Sequence, residues 1–227
     1  MGLILEAIAD AFASLSDPEL LEVVALTLVV SGVASVASLT VGVPIGAALG
    51  LGRFRGRSAL RVAVDVGMGL PPVLVGLALL LLLWRSGPLG SLRLTFTPTA
   101  MIIAQFLLAV PIVVGLTATA IESLPAAAVE QLGALRLSRV DRARLALMEV
   151  WPGVVGAAVA AFGRVVSEVG AVLIVGGNIA GETRVLTTLI VQESRQAQFG
   201  PALGAGLVLL VISLFVNVSL SRMRGRP

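Results

Sequence analysis

The chain contains no cysteine, no histidine, no lysine and no tyrosine. Without cysteine there is no disulfide framework, thiolate nucleophile or cysteine metal site. Without histidine the commonest metal ligand and the usual proton shuttle near neutral pH are gone. The missing lysine excludes a standard P-loop, which needs that side chain on the nucleotide phosphates. Any ATP that drives this protein is therefore bound by another subunit. Two tryptophans and no tyrosine leave no stacking platform for single-stranded nucleic acid, so nucleic acid is not an expected partner. Charge is scarce too. Only 13% of the 227 residues are charged, against about a quarter in a soluble domain. What remains is apolar, with 57% hydrophobic residues and a mean hydropathy of +1.04. Lipid is the solvent that fits.

The spacing of charges gives the organisation. Uncharged stretches cover 23–52, 66–84, 94–121, 150–163, 169–181 and 196–221, and a spanning helix needs about 20 apolar residues. Four of the six qualify or nearly qualify alone. The two short ones are separated only by residues 164–168 and combine into one span. The reading is all-α and polytopic, with about five transmembrane helices at about 20–51, 62–84, 97–121, 152–179 and 200–221. The 30-residue stretch would be about 45 Å long, beyond a hydrocarbon core of about 30 Å. Gly42-Val43-Pro44 is the expected kink.

Loop arginines set the orientation. Arg53, Arg55, Arg57 and Arg61 follow the first span, Arg136, Arg139, Arg142 and Arg144 follow the third, and Arg222, Arg224 and Arg226 close the chain. Those eleven lie on one side, whereas Arg85, Arg93, Arg184 and Arg195 lie on the other. The arginine-rich loops and the tail are expected to be cytoplasmic and the N-terminus outside. The opening residues lack a basic n-region, and Glu6 interrupts their apolar run, so a signal peptide is not expected. Ile4, Ile8 and Phe12 instead mark an amphipathic helix over 1–18 on the outer membrane surface. "SDPEL" (16–20) supplies a helix start, with Ser16 or Asp17 as cap and Pro18 in the first turn.

Three segments are unusual for plain spans. In "GMGLPPVLVGL" (67–77), Pro71 and Pro72 remove two backbone donors. In a membrane the freed carbonyls must be satisfied by protein or by a water-lined cavity, which leaves a packing kink or a pathway-lining hinge. The segment 122–151 reads as a short helix from Pro125 that Gly133 breaks, then a second amphipathic element carrying arginines. This makes a cytoplasmic knob for a partner or for anionic headgroups. In "AAFGRVVSEVGAVLIVGGNI" (160–179), Arg164 and Glu168 fall four apart and are expected to share a helix face. They either pin helices together or line a pathway. Gly170, Gly176, Gly177 and Asn178 are expected to interrupt the helix beyond them, leaving irregular backbone on the outer side.

Taken together, "GLPPVLVGLALLLLLWRSGPLG" (69–90), the alanine–glycine loop and "GRVVSEVGAVLIVGGNIAGETRVLTT" (163–188) resemble the inner-membrane permease of ABC-type oxyanion importers. The likeness covers nearly the whole chain and is greatest to tungstate permeases, then molybdate, then sulfate. It implies a type I ABC importer permease in the cell inner membrane, a single domain over 1–227 with spans 1–3 in 20–121, the coupling segment in 122–151 and spans 4–5 in 152–221. The tail is 222–227. It also implies a homodimer, two cytoplasmic ATPase subunits that bind the ATP and magnesium, an extracytoplasmic substrate-binding protein and membrane lipid as neighbours. No cofactor is expected in this chain.

The family's coupling pattern, aligned on Gly133, puts its Glu-Ala-Ala on Ala127, Ala128 and Val129, so the acidic residue is missing at its place and Glu130 lies one position beyond the motif. The proline of the pattern would fall on Ala146, and the nearest here is Pro152. The resemblance assigns ATPase coupling to Ala127, Ala128, Glu130, Leu132, Gly133, Ala134 and Arg136. It assigns the pathway or gate to Pro71, Pro72, Arg164, Glu168, Gly170, Gly176, Gly177 and Asn178. Glu168 stands in the family's Gly-Glu-Phe-Gly-like stretch, here Ser167-Glu168-Val169-Gly170. Arg164 would cancel its charge, sparing an oxyanion an uncompensated carboxylate. No chemistry on the oxyanion is expected. The binding protein is expected to dock on loops 85–97 and 180–199. The rivals are a molybdate or sulfate permease, a stand-alone carrier or channel, and a non-transporting membrane scaffold.

Overall fold

The computed structural model describes residues 2–15, 17–134 and 137–223. Ser16, Arg136, Arg224 and Arg226, named above, lie outside them. Eleven α-helices follow one another among the described residues: α1 (Gly2–Ser14), α2 (Pro18–Leu51), α3 (Arg57–Met68), α4 (Pro72–Leu83), α5 (Pro98–Glu122), α6 (Ala126–Ala134), α7 (Arg139–Glu149), α8 (Trp151–Val166), α9 (Gly170–Gly176), α10 (Leu186–Arg195) and α11 (Phe199–Met223). A single 3₁₀ turn at Gly90–Leu92 interrupts the 84–97 connection.

Helices α2, α5 and α11 are each long and apolar enough to cross a membrane. The pairs α3+α4 and α7+α8 also qualify, which gives up to five spans. The fold is the all-α polytopic one expected. Helix α7 meets α8 at an 80° bend, near the expected boundary between the coupling segment and the fourth span. One detail differs: the fourth span breaks after Val166, leaving a seven-residue α9. The 180–199 connection also folds into a helix, α10, with Leu186, Thr187, Thr188 and Glu193 buried. Its polar, threonine-rich start concealed it.

The described residues form two compact units, and α2, α5, α8 and α11 each contribute to both. The first unit takes 1–34, 71–105 and 165–216. Its core joins Leu20 and Val23 of α2 to Leu186 of α10 and Ala205 of α11. Asp17 caps α2, accepting from the Glu19 amide at 2.9 Å, and Arg184 holds Glu19 at 2.7 Å. Helix α1 lies on α11 through small residues. A Cβ on Gly200 would strike that of Asp10, and one on Gly204 would reach the Ala11 carbonyl oxygen at 2.9 Å. Ala7 and Ala11 are buried, whereas Ile8 and Phe12 of the apolar stripe stay exposed.

The second unit takes 35–70, 106–164 and the residues from 217. Here Gly42, Gly46 and Gly50, one turn apart along α2, press on Val113, Thr117 and Ile121 of α5. Added Cβ atoms would come within 2.7, 2.7 and 2.9 Å of those side chains. Small residues at this spacing let membrane helices approach closely, where packing rather than water drives association. The helix runs unbroken through Pro44, so Gly42 serves close packing. Gly67 likewise meets Pro111, and Gly115 meets Met68. At the arginine-rich end, Glu122 receives Arg57 at 2.6 Å and Arg61 at 3.5 Å. Arg61 also donates to Thr119 Oγ1 at 2.6 Å.

Candidate functional site

Both proline- and glycine-rich segments singled out in the sequence break a helix, and in the first unit they meet. Helix α3 ends at Met68 and α4 begins at Pro72, with Pro71 extended at φ −63° and ψ 122° as its cap. Proline suits this place because a first-turn residue has no intrahelical partner for an N–H anyway. Helix α4 then packs along α9. A Cβ on Gly76 would lie 2.7 Å from the Ala171 Cα, and one on Gly170 would lie 2.8 Å from Val73 Cγ2. Neither position has room for a side chain. Gly176, the last residue of α9, is pressed by Met101 in the same way.

The break after α8 explains Glu168. Because α8 stops at Val166, Arg164 and Glu168 do not sit one turn apart on a continuous helix, contrary to the expectation from their spacing. Arg164 lies in the last turn of α8 and in the second unit, while Glu168 lies in the non-helical link and in the first. Glu168 is 4% exposed, and its Oε1 accepts from the Ala171 amide at 3.1 Å. A carboxylate on an amide of the first turn satisfies an orphan donor and meets the positive end of the helix dipole.

The surrounding residues satisfy the link's own backbone. Glu168 donates its N–H to the Val165 carbonyl at 3.2 Å, and Gln105 Nε2 of α5 donates to the same oxygen at 3.1 Å. Thr187 Oγ1 of α10 donates to the Glu168 carbonyl at 2.9 Å. An unwound stretch within lipid persists only where protein or water satisfies it in this way. The far end of α9 closes on Gly177, at φ 73°, whose N–H donates to the Leu173 carbonyl at 3.0 Å. Asn178 follows at φ 54°, a left-handed conformation asparagine tolerates, and donates from Nδ2 to Gln192 Oε1 at 2.6 Å. Thr183 Oγ1 accepts from the Ile179 amide at 2.9 Å and donates to the Gly176 carbonyl.

Pro71, Pro72, Glu168, Gly170, Gly176, Gly177 and Asn178 thus belong to one unit, and Arg164 to the other. Sequence reasoning missed Gln105, Thr183 and Thr187. A lone amide inside a 28-residue uncharged stretch and the run "TRVLTT" were their only signals. Gln105 Oε1 and Asn178 Oδ1 are buried without a hydrogen-bond partner among the described residues.

The described residues of the second set lie on α6. Ala127, Ala128, Glu130, Leu132, Gly133 and Ala134 all belong to α6, none of whose residues is buried. The helix ends at Ala134, one residue past Gly133. A Cβ on Gly133 would meet no described atom within 4 Å. Helix α7 packs on α6 and starts from Ser138 as its N-cap: Ser138 Oγ accepts from the Asp141 amide at 3.1 Å and donates to its carboxylate at 2.5 Å.

Residues 42–225 match the family model described as the inner membrane component of binding-protein-dependent transport systems. A protein of Haloferax volcanii described as a probable anion ABC transporter permease is 41% identical over 221 residues, 95% of each chain. The tungstate uptake system permease protein TupB of Peptoclostridium acidaminophilum is 37% identical over 201 residues, 88% of each chain. The molybdenum transport system permease protein ModB of Azotobacter vinelandii is 30% identical over 90% of this chain and 95% of its own. Among solved structures, a chain of the MetNI methionine ABC transporter in an inward-facing conformation superposes with a TM-score of 0.72 at 19% identity, over 92% of this chain and 97% of that one. That likeness concerns the fold alone.

Proposed function

The chain belongs to the inner membrane components of binding-protein-dependent transport systems, and from that membership we propose that it moves an oxyanion, tungstate above all, into the cytoplasm. Permease subunits of this family are not themselves enzymes. The observation that carries the transport reading is the unwound link after α8. Its buried carboxylate caps α9, and its backbone is held from α5 and α10. Membrane proteins keep irregular backbone at such depth where it borders a pathway or is enclosed by protein. The substrate branch rests on the relatives, of which one is described as a tungstate uptake permease and another as an anion permease.

In this reading two copies pair, two ATPase subunits sit on the cytoplasmic side, and a substrate-loaded binding protein docks outside. The arginine excess near α6 and α7 supports a cytoplasmic position for them. ATP binding by the partners is felt at α6, whose exposed alanines and Gly133 admit a closely approaching surface. Pro71 and Pro72 separate α3 from α4, so α4 can follow α9 as the two stay packed. Glu168 acts as a positioning residue: its carboxylate is engaged with the Ala171 amide, and it sets where α9 begins. Reconstituting the chain with its candidate ATPase and binding protein tests this. ATPase activity should rise with tungstate-loaded and not with sulfate-loaded binding protein. Ion-gradient uptake by the chain alone would establish a carrier instead.

A further inference from the structure

The second unit holds a groove of about 900 Å³ between the end of α2, the residues just after it, and helices α7 and α8. Its walls are apolar, with Pro44, Ala47 and Leu51 on one side and Leu147 and Trp151 on the other. Arg53, Arg139, Arg142 and Arg144 also line it, and no acidic residue does. None of these four arginines forms an ion pair among the described residues. Arg142 Nε is buried there without a hydrogen-bond partner among them. The nearby Asp141 is turned to Ser138, which it engages through its carboxylate and amide.

Four guanidinium groups with no ion-pair partner among the described residues, beside an apolar slot, call for an anion attached to a long apolar body. A small soluble anion would leave the slot empty, and a neutral acyl chain would leave the arginines unmatched. We propose that this groove binds one phospholipid with an anionic headgroup, its phosphate held by Arg142 and Arg144 and an acyl chain laid against Leu51 and Trp151. Arginine matches phosphate through its forked donors, and basic residues at the cytoplasmic face recognise anionic headgroups. The proposal rests on the chain being membrane-embedded. It does not depend on the substrate, so a failed tungstate assay leaves it standing.

Trp151 lies in the groove wall and is one of only two tryptophans, so it can report the occupant. The full-length Trp84→Phe variant leaves Trp151 as the sole fluorophore. It would be placed in phosphatidylcholine vesicles containing a rising fraction of either brominated phosphatidylglycerol or brominated phosphatidylcholine. Half-quenching is expected at a fraction about tenfold lower for the anionic lipid. Arg142→Gln/Arg144→Gln should abolish that preference, while Arg85→Gln/Arg195→Gln should keep it. Equal quenching by both lipids, or a preference that survives the first double substitution, overturns the proposal. Should Trp84→Phe fail to fold, mass spectrometry of the native-sequence protein released from detergent decides. Retention of one phosphatidylglycerol, lost in Arg142→Gln/Arg144→Gln, supports the site. A double variant that keeps the lipid and sheds a bound ATPase shows instead that a protein partner fills the groove.

Discussion

At Thr187 a single hydroxyl holds a carbonyl that the broken helix leaves free. Thr187→Val keeps the shape and strands the Glu168 carbonyl, so it should destabilise the purified protein by about 1–3 kcal/mol. Thr187→Ser should restore most of that, as read by thermal unfolding in detergent. Equal melting of all three would remove the hydroxyl from the account. Gly76 makes a similar demand through space, since a Cβ would meet the Ala171 backbone at 2.7 Å. Gly76→Val should therefore cost about 1–3 kcal/mol through overpacking. The same change at Gly32, where a Cβ meets no described atom within 4 Å, is the control. At this scale the sequence was partly legible. Pro71, Pro72 and Gly177 announced breaks, whereas α2 runs unbroken through Pro44. The partners that make a break tolerable, Gln105 and Thr187, come from distant parts of the chain, 60 and 19 residues from the groups they bond. No local pattern reveals them.

Helix α6 presents the opposite case, an element with nothing buried. Ala127→Trp and Gly133→Trp should change stability by no more than about 0.5 kcal/mol, the usual range for surface positions. Both should release a co-purified ATPase, a combination that a merely structural helix would not give. Retention of the ATPase by both variants would contradict the coupling role. Helix α6 ends at Ala134, one residue past the glycine expected to break it. Helix α10 was missed because its polar residues suggest a surface loop. Thr188 in fact turns inward, accepting from the Val185 amide at 3.1 Å and donating to the Val185 carbonyl at 3.0 Å. The i, i+4 argument for Arg164 and Glu168 assumed a continuous helix. Spacing defines a helix face only while the helix lasts, and α8 ends between them.

For the whole molecule, charge bias and apolar length carried the fold class, because lipid permits few architectures. The orientation proposed from the same arginines can be tested in the native cysteine-free background. Ser86→Cys should react with a membrane-impermeant maleimide in right-side-out vesicles, and Ser58→Cys only after permeabilisation. The reverse pattern would invert the topology. The central claim is that this chain passes an oxyanion inward only when a partner's ATP is consumed. The most direct measurement places the chain, its ATPase and ATP inside vesicles, adds tungstate-loaded binding protein outside, and follows tungstate entering the lumen. The account predicts accumulation that requires the ATPase, ATP and binding protein together. Accumulation by the chain alone under an ion gradient would contradict it.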